Sequence, residues 1–546
     1  MNSSPLSVRT LALYALAALT VWFALLGHRD LIEPDEGRYA EIAREMVVTG
    51  DWLTPRLNGF KYFEKPALHY WATAISLKAF GFNNAAARLW PVLIGALGIV
   101  WTGFVAYRLY GREAAIAASA VCLGSALYVS TSHYISLDIS VSVFLAMGIG
   151  CLALAQTRRD EPRAVRFWML SGWAALALAT LSKGLIGIVL PGAAVVAYSL
   201  WQRDWSLWRH LHLGKGTLVF LAIAAPWFIA VSLANPEFAR FFFIHEHFER
   251  YTTTVHQRDA PFWFFVPIFI VGVMPWLVSA VRGLVSAALP TANKPGSFSA
   301  ERFFVTFIAV VFVFFSAGSS KLPPYILPLL PILAVLAGQR MAQVGRARAD
   351  GWITLVLGIA LIALATQAAR FGSKSIPAEL YLNYQPWIIA AGFAFVAAGV
   401  ISLRSQGRAV VATAGVALFA ALATQCLMWG FQTIAESRSS HALAAAIERE
   451  APGAEVFIDT YYPQSLPFYL NRTVRLAKFK GELEMGINAQ PQRWLATADD
   501  LARDWLAAEK AVGIFDVESL PIYQAKGLKM RVIFKHPRRI AVVKEQ

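Results

Sequence analysis

Charged residues are scarce in this sequence. Asp, Glu, Lys and Arg account for 15% of its 546 residues, whereas soluble proteins carry about 25%. A soluble fold of this length would need far more polar surface to cover itself, so most of the chain must face lipid or other apolar helices. This composition excludes an ordinary soluble protein and predicts a polytopic membrane protein.

Cysteine is nearly absent as well. The three cysteines, Cys122, Cys151 and Cys426, all lie inside apolar runs. We expect them to be small buried hydrophobic residues, so the sequence predicts neither a disulfide framework nor a thiolate metal site. The apolar run near the N-terminus has no clear small-residue cleavage site after it, and we expect it to remain as a helix.

Positive charge, in contrast, is in excess, at a formal net charge of +15. Cytoplasmic loops of membrane proteins accumulate Lys and Arg, which explains the excess without nucleic acid, and we predict no nucleic-acid partner. Cations at the membrane surface would also serve an enzyme that handles anionic lipid head groups. Membrane lipids are therefore expected partners.

Long apolar stretches dominate the first 430 residues. A membrane-spanning helix needs about 20 mostly apolar residues. Stretches without Asp, Glu, Lys or Arg occur at 10–27, 89–107, 114–137, 139–157, 167–182, 184–202, 217–234, 260–281, 303–320, 322–339, 352–369, 384–403 and 409–435. They predict about thirteen transmembrane helices in an all-α bundle formed by residues 1–430.

The arginines indicate the orientation of this bundle. If the N-terminus is cytoplasmic, every short Arg-rich connection falls on the cytoplasmic face, as is usual in membrane proteins. These connections contain Arg108, Arg112, Arg158, Arg159, Arg163, Arg166, Arg203, Arg209, Lys215, Arg340, Arg346, Arg348, Arg404 and Arg408. The opposite face then receives the segments 28–88, 130–138, 235–260, 318–323, 371–383 and everything after about residue 430.

The tail, residues 431–546, has a different character. It is charged, and a helix-like stretch at Leu495–Lys510 alternates with short apolar runs. The runs are Glu455–Ile458, Val474–Leu476, Ala511–Phe515 and Arg531–Phe534. This alternation predicts a C-terminal soluble α/β domain outside the membrane.

The first outer loop, residues 28–88, is unusually charged and opens with Glu33-Pro-Asp-Glu36. Apolar residues between Asp35 and Val48 recur at helical spacing, which predicts a helix lying in the membrane interface. Asp35 either caps the N-terminus of that helix or faces a functional site. Both interpretations fit the spacing.

A second cluster in this loop is Lys61-Tyr-Phe-Glu-Lys-Pro66. It is either a polar linker with lysines reaching the interface, or a phosphate site. In a phosphate site, Lys65 would supply a cation and Tyr62 a hydroxyl, and Glu64 would be a pairing anion or a metal ligand.

Three other outer segments carry similar groups. Asp138 is a lone carboxylate beside an apolar run, which makes it a candidate catalytic residue because charge near the membrane is costly. Arg250 follows His245-Glu-His247, and Lys321 and Tyr325 lie in a tight turn. Since all these segments fall on one side of the membrane, we expect their cations and carboxylates to meet in one cavity.

A metal site has weaker support. His245 and His247 would point to opposite faces of an extended segment, so they form a poor chelating pair. A divalent metal would instead need Glu64 together with His245. The sequence requires no other cofactor.

With these residues the sequence resembles a known family. The stretch Glu33-Pro-Asp-Glu-Gly-Arg-Tyr-Ala-Glu-Ile-Ala-Arg-Glu-Met46, followed by Gly50–Arg56 and Tyr62–Pro66, is similar to the lipid A 4-amino-4-deoxy-L-arabinose transferases. Those enzymes belong to the protein O-mannosyltransferase-related group of GT-C membrane glycosyltransferases. Ser182-Lys-Gly184 and Ser320–Tyr325 are similar too. The resemblance covers the membrane part well and is loose over the tail.

The resemblance implies a reaction in the bacterial inner membrane. 4-Amino-4-deoxy-L-arabinose would move from undecaprenyl phosphate to a lipid A phosphate on the periplasmic side, conferring resistance to polymyxin and other cationic antimicrobial peptides. It also implies a helical bundle with interfacial helices in the first outer loop. The presumed catalytic carboxylate of that loop is Asp35 here, with Glu36 as its neighbour.

In such a reaction undecaprenyl phosphate is the leaving group, and preorganised cations would stabilise the negative charge that grows on it. Lys65 and Arg250 are expected to do so, with Tyr325 donating a hydrogen bond and Lys321 adding a weaker charge. A phosphate acceptor is already largely ionised near neutral pH, so Asp35 need not remove a proton. Asp35 would stabilise the cationic sugar or hold its ammonium group.

Three alternatives remain. A GT-C glycosyltransferase with another acceptor, such as a protein hydroxyl, would need a true general base. A transporter of an isoprenoid-linked sugar would place ionisable groups near the membrane midplane and often repeat its halves, whereas here the polar clusters lie in outer loops. A structural membrane protein would hardly need so many loop carboxylates and cations.

Overall fold

Most of the chain forms a bundle of apolar helices. The structure is a computed structural model that describes residues 8–249, 260–289, 297–373, 376–405, 410–536 and 539–545. The α-helices of the bundle are Val8–Phe23, Asn84–Tyr110, Arg112–Gly124, Ala126–Ser132, Asp138–Gln156, Pro162–Lys183, Ile186–Gln202, Leu213–Ala234, Phe265–Gly272, Leu277–Ala288, Ala300–Ala317, Leu329–Val344, Arg348–Ala365, Ala378–Arg404 and Val410–Gly430. A π-helix, Arg240–Glu249, follows Leu213–Ala234.

Eight helices within the described ranges are long and apolar enough to cross a membrane, and two bent pairs raise this number to ten. The bent pairs are Arg112–Gly124 with Ala126–Ser132 and Phe262–Gly272 with Leu277–Ala288. Three shorter apolar helices are Ala12–Phe23, Ile186–Gln202 and Leu329–Val344. The multi-pass helical bundle is therefore confirmed, whereas the number of thirteen spans stays a prediction.

The first outer loop is folded into a compact layer. It contains the loop helix (Asp35–Thr49), the short hairpin of β1 (Arg56–Leu57) and β2 (Phe60–Lys61), and the helix Leu68–Phe80. The loop helix starts with two carboxylates, which suit the positive end of the helix dipole. It ends at Gly50, whose φ of 73° is the left-handed conformation that glycine adopts at low cost.

The loop helix is buried on all sides, which differs from the predicted interfacial helix with one apolar face. Every residue from Glu36 to Met46 is buried. The C-terminal tail covers the face of the loop helix that was expected to contact solvent or lipid. A β-carbon on Gly37 would lie 2.6 Å from the backbone nitrogen of Ser465, so only glycine allows this close approach.

The tail forms the predicted α/β domain. Its strands are β3 (Glu455–Asp459), β4 (Arg475–Ala477), β5 (Ala511–Asp516), β6 (Met530–His536) and β7 (Arg539–Lys544). The sheet order is β4-β3-β5-β7-β6, with β3 parallel to β4 and β5, and β7 antiparallel to β5 and β6. Helices include His441–Glu450 and Ala498–Ala507. Four of the five strands match the predicted apolar runs, and β7 was missed.

The first outer loop and the C-terminal domain share one hydrophobic core. Ile42 and Met46 of the loop helix belong to the same buried cluster as Ile447, Val456 and Ile458 of the domain. The two parts are bound by burial of common apolar surface. The predicted boundary at residue 430 divides the sequence into two parts. In the structure, however, the first outer loop from one part and the C-terminal domain from the other pack together as one layer.

Two neighbouring glutamates of the loop helix, Glu41 and Glu45, make the stability of this layer depend on pH. Glu41 is paired with Arg44 at 2.7 Å, and Glu45 accepts a hydrogen bond from the backbone nitrogen of Gly59 at 2.9 Å. Burial and the neighbouring Glu41 raise the pKa of Glu45 from 4.5 to about 8. Glu45 therefore keeps its proton in the folded protein at neutral pH and loses it on unfolding.

We expect the folded protein to lose stability as pH rises from about 5 to about 9, because only the folded state holds this proton in that range. Glu45→Gln copies the neutral acid and should flatten the dependence, measured as the midpoint of thermal unfolding against pH. Glu448→Gln, which removes an exposed partner of Arg472, should keep the wild-type slope. Equal slopes for wild type and Glu45→Gln would contradict the raised pKa of Glu45.

Candidate functional site

A cavity of about 1600 Å³ opens between the first outer loop, the helix ends next to that loop and the C-terminal domain. The predicted site residues that line it are Asp35, Glu64, Lys65, Asp138, His245 and Tyr325. They come from four segments that are far apart in the sequence. The expectation that charged groups of the outer segments converge on one cavity therefore agrees with the geometry.

Asp35 is the first residue of the loop helix, and Pro34 rather than Asp35 occupies the capping position. The Asp35 side chain is 34% exposed, and its Oδ1 lies 3.8 Å from Nη1 of Arg38, one helical turn later. This distance is too long for a hydrogen bond. Asp35 thus presents its carboxylate to the cavity, and the capping alternative finds no support in the structure.

Lys65 is held at the cavity wall by acidic groups. Its Nζ lies 3.0 Å from Oε2 of Glu246 on the π-helix and donates to the backbone oxygen of Glu64 at 2.7 Å. The Glu64 carboxylate is 4.0 Å from the same ammonium. The lysine is thereby fixed in position, and preorganisation of this kind is what charge stabilisation in a reaction requires.

Asp138 belongs to a third group, which includes a residue that the sequence reasoning did not select. Its carboxylate forms an ion pair with Lys183, at the end of the helix Pro162–Lys183, and the Lys183 ammonium lies 4.6 Å from the centre of the Tyr325 ring. All three side chains line the cavity. A lone lysine that ends an apolar stretch is costly unless it is paired or functional, and that signal could have identified Lys183.

Glu36 does not face the cavity, although it adjoins Asp35 in sequence. It is fully buried and accepts hydrogen bonds from Arg29 at 3.1 Å and from Arg88 at 2.8 Å. Burial raises the pKa of a carboxyl group, but these two guanidinium groups outweigh burial and hold the pKa of Glu36 below its ordinary value. Its place is that of a structural ion pair, not of a catalytic group.

Two predicted phosphate-binding residues also lie off the cavity. Tyr62 is 1% exposed, and its hydroxyl accepts a hydrogen bond from Arg38 at 3.3 Å. Lys321 is buried and donates to the backbone oxygen of Gly318. Sequence spacing could not give the direction of these side chains. Arg250 lies outside the described residues, so its role stays a prediction.

The proposed metal ligands share the cavity but do not complete a site. Glu64 and His245 both line it, and the His245 ring stacks on Phe241. In the part of the chain that the structure describes, no group of three His, Cys, Asp or Glu side chains is placed to hold a metal ion. A zinc site has three or four such ligands, so Glu64 and His245 would need further ligands, and the metal site stays a prediction.

The C-terminal domain supplies one wall of the cavity, which the sequence did not predict. Glu482, Met485 and Asn488 line it, as does Arg438 from the connection to the bundle. Glu33 fixes this wall, because its carboxylate accepts hydrogen bonds from the side chains of Ser440, Ser465 and Tyr461. This part of the tail contains no recognisable motif, so its contribution to the cavity could not be predicted from the sequence.

Comparison with known proteins identifies the family. Residues 7–242 match the family described as dolichyl-phosphate-mannose-protein mannosyltransferase, and residues 443–544 match the aminoarabinose transferase C-terminal domain. The undecaprenyl phosphate-alpha-4-amino-4-deoxy-L-arabinose arabinosyl transferase of Pseudomonas aeruginosa is 31% identical over 519 residues, covering 91% of this chain and 90% of the relative. A second enzyme of that name from Proteus mirabilis is 32% identical over 403 residues, covering 71% and 70%.

A solved structure agrees with these sequence matches. The crystal structure of ArnT from Cupriavidus metallidurans bound to undecaprenyl phosphate superposes with a TM-score of 0.91, at 32% identity and 98% coverage of both chains. The chain belongs to the aminoarabinose transferase family. The resemblance seen in the outer-loop motifs is thereby confirmed, as is the GT-C bundle with its C-terminal domain. Membership of a transferase family decides against the transporter and structural-protein alternatives.

For this aminoarabinose transferase we expect Glu36→Gln to lower the free energy of unfolding by about 3–5 kcal/mol, because Arg29 and Arg88 would lose their buried counter-charge. The check is the midpoint of thermal unfolding of the purified protein. Asp35→Asn, one residue away and partly exposed, should change stability by about 0.5 kcal/mol or less. An equal loss of stability in the two variants would contradict a structural role for Glu36.

Proposed function

We propose that this chain transfers 4-amino-4-deoxy-L-arabinose from undecaprenyl phosphate to a phosphate of lipid A. The observation that carries the proposal is the meeting of Asp35 and Lys65 in one cavity of a chain that belongs to the aminoarabinose transferase family. The volume of about 1600 Å³ is ample for a sugar with two phosphates.

The leaving phosphate binds at the cations of the cavity. As the bond between sugar and phosphate breaks, negative charge grows on the lipid phosphate, and a fixed cation lowers the energy of that state. Lys65 is such a cation, and Lys183 beside Tyr325 is a second. Both are held by carboxylates before the donor arrives, so little rearrangement accompanies the reaction.

Asp35 acts on the sugar. The acceptor phosphate is already ionised near neutral pH, so the reaction needs no general base. The sugar carbon becomes positively charged as its bond to the leaving group breaks, and the Asp35 carboxylate stabilises that charge. Asp138 stays paired with Lys183 and positions it. A hydroxyl acceptor, by contrast, would need Asp35 as a base.

The cavity faces the periplasm, and the bundle lies in the bacterial inner membrane. The support for this orientation is the distribution of arginines, which places short Arg-rich connections on the cytoplasmic face. The first outer loop and the C-terminal domain then lie together outside, where lipid A carries its phosphates. Masking those phosphates reduces the attraction of cationic peptides such as polymyxin.

The direct test is mass spectrometry of lipid A from cells with and without this chain. We expect a mass increase that matches one or more pentosamine groups, and we expect Asp35→Asn to lower the modification about 100-fold or more because a preorganised charge is lost. Asp499→Asn, an exposed carboxylate of the C-terminal domain, is the control and should leave the mass pattern unchanged. Unmodified lipid A from cells with wild type would refute the proposed acceptor.

The donor site has its own test. Lys65→Ala should lower kcat/KM for the lipid-linked sugar about 10- to 100-fold, because a charged contact to the phosphate is lost. Lys78→Ala is a matched control in the same loop, since Lys78 is exposed and does not line the cavity. The same assay with Arg250→Ala tests the predicted role of Arg250. Unchanged turnover in both Lys65→Ala and Arg250→Ala would mean that the phosphate binds elsewhere.

A further inference from the structure

One guanidinium group joins the loop helix to the C-terminal domain inside the cavity. Arg38 donates from Nε to Oε1 of Gln464 at 2.6 Å, and Nε2 of the same Gln464 amide donates to Glu482. These two bonds fix both the orientation of the amide and the position of the Glu482 carboxylate. Arg38, Asp35 and Glu482 all line the cavity.

The charges at this place do not balance. Asp35 Oδ1 is 3.8 Å from Nη1 of Arg38, and Glu482 Oε1 is 3.6 Å from Nη2. Within the described ranges Arg38 is the only ion-pair partner of either carboxylate. Two negative charges therefore share one positive charge, and neither distance is that of a hydrogen bond.

Three other carboxylates of the cavity have a cation at shorter range, and one of them, Asp138, pairs with Lys183. Glu237 lies 2.6 Å from Lys61, and Glu246 lies 3.0 Å from Lys65. An uncompensated negative charge therefore lies between the loop helix and the domain wall. A further anion would be repelled from it, whereas a cation would complete it.

We propose that Glu482 selects the amino sugar by pairing with its ammonium group. This inference rests on the proposed function, because the donor of that reaction carries one protonated amine. The side chain is 19% exposed and reaches the cavity from the C-terminal domain, opposite the loop helix. The ammonium group supplies the missing positive charge, and Asp35 is left to act on the reacting carbon. Gln464 is a positioning residue that holds Glu482 for this contact.

The experiment compares two donors with the purified full-length protein and lipid A. One donor is undecaprenyl phosphate carrying the 4-amino-4-deoxy pentose, and the other carries the same pentose with a hydroxyl in place of the amine. The neutral donor is measured both as a substrate and as a competing inhibitor, so its affinity is obtained even if it is turned over slowly.

We expect Glu482→Gln to lower kcat/KM for the amino donor about 10- to 100-fold, because a charge-assisted contact is lost. The values for the neutral donor should stay within about threefold, so that discrimination between the donors collapses. Glu482→Asp should restore part of the preference. Gln464→Met, which leaves the carboxylate in place but unsupported, should weaken the preference less, and it serves as the second variant if Glu482→Gln is unstable.

The control is Arg493→Gln. Arg493 joins the domain to the first outer loop through the backbone oxygen of Gly59 and does not line the cavity. This change should leave the ratio between the donors unaltered, even if it lowers the amount of folded protein.

Two failures are distinguishable. If Glu482→Gln and Gln464→Met reduce use of both donors equally, Glu482 has a structural role and the inference is overturned. If wild type transfers neither sugar to lipid A, the proposed function itself fails.

Discussion

Burial of the Glu36 carboxylate between two arginines is the constraint on which the outer half of this protein depends. A charge removed from water must be paired and hydrogen-bonded. Glu36 meets this demand with Arg29, Arg88 and the backbone nitrogens of Ile32 and Ile135. One side chain thus draws together three segments that are distant in sequence, namely residues 29–36 and the segments around Arg88 and Ile135. Since neighbouring helical residues point about 100° apart, fixing Glu36 also directs Asp35 towards the cavity.

The second organising contact is the shared core between the first outer loop and the C-terminal domain. Apolar burial holds the two parts together, and polar contacts at its edge define the cavity wall. Gly37 lets the backbones of the two parts touch, while Glu33 joins three hydroxyl groups of the domain. Function therefore resides in a composite of membrane part and domain, since neither part alone encloses the cavity.

Much of this architecture could be predicted from the sequence. The helical bundle was predicted from apolar stretches, because the lipid bilayer determines how long and how apolar a membrane-spanning helix must be. Asp138 was identified because a carboxylate beside an apolar run is costly. Lys65 and Tyr325 were selected as groups that bind a phosphate, and Asp35 was selected through the resemblance of its loop to the family. The direction of a side chain could not be predicted, because residue spacing in an irregular loop does not determine it. For this reason the burial of Tyr62 and Lys321 was not foreseen. Contacts with the domain, such as those of Glu482, depend on tertiary packing and leave no local pattern.

The position of β7 in the sheet has a consequence for truncated forms of the protein. This strand, Arg539–Lys544, lies between β5 and β6, so β6 is joined to the rest of the sheet only through β7. A chain cut before β7 would leave β6 without a partner and β5 with an open edge. Unpaired backbone groups at such an edge are a template for pairing with another chain, so truncation at this point favours aggregation.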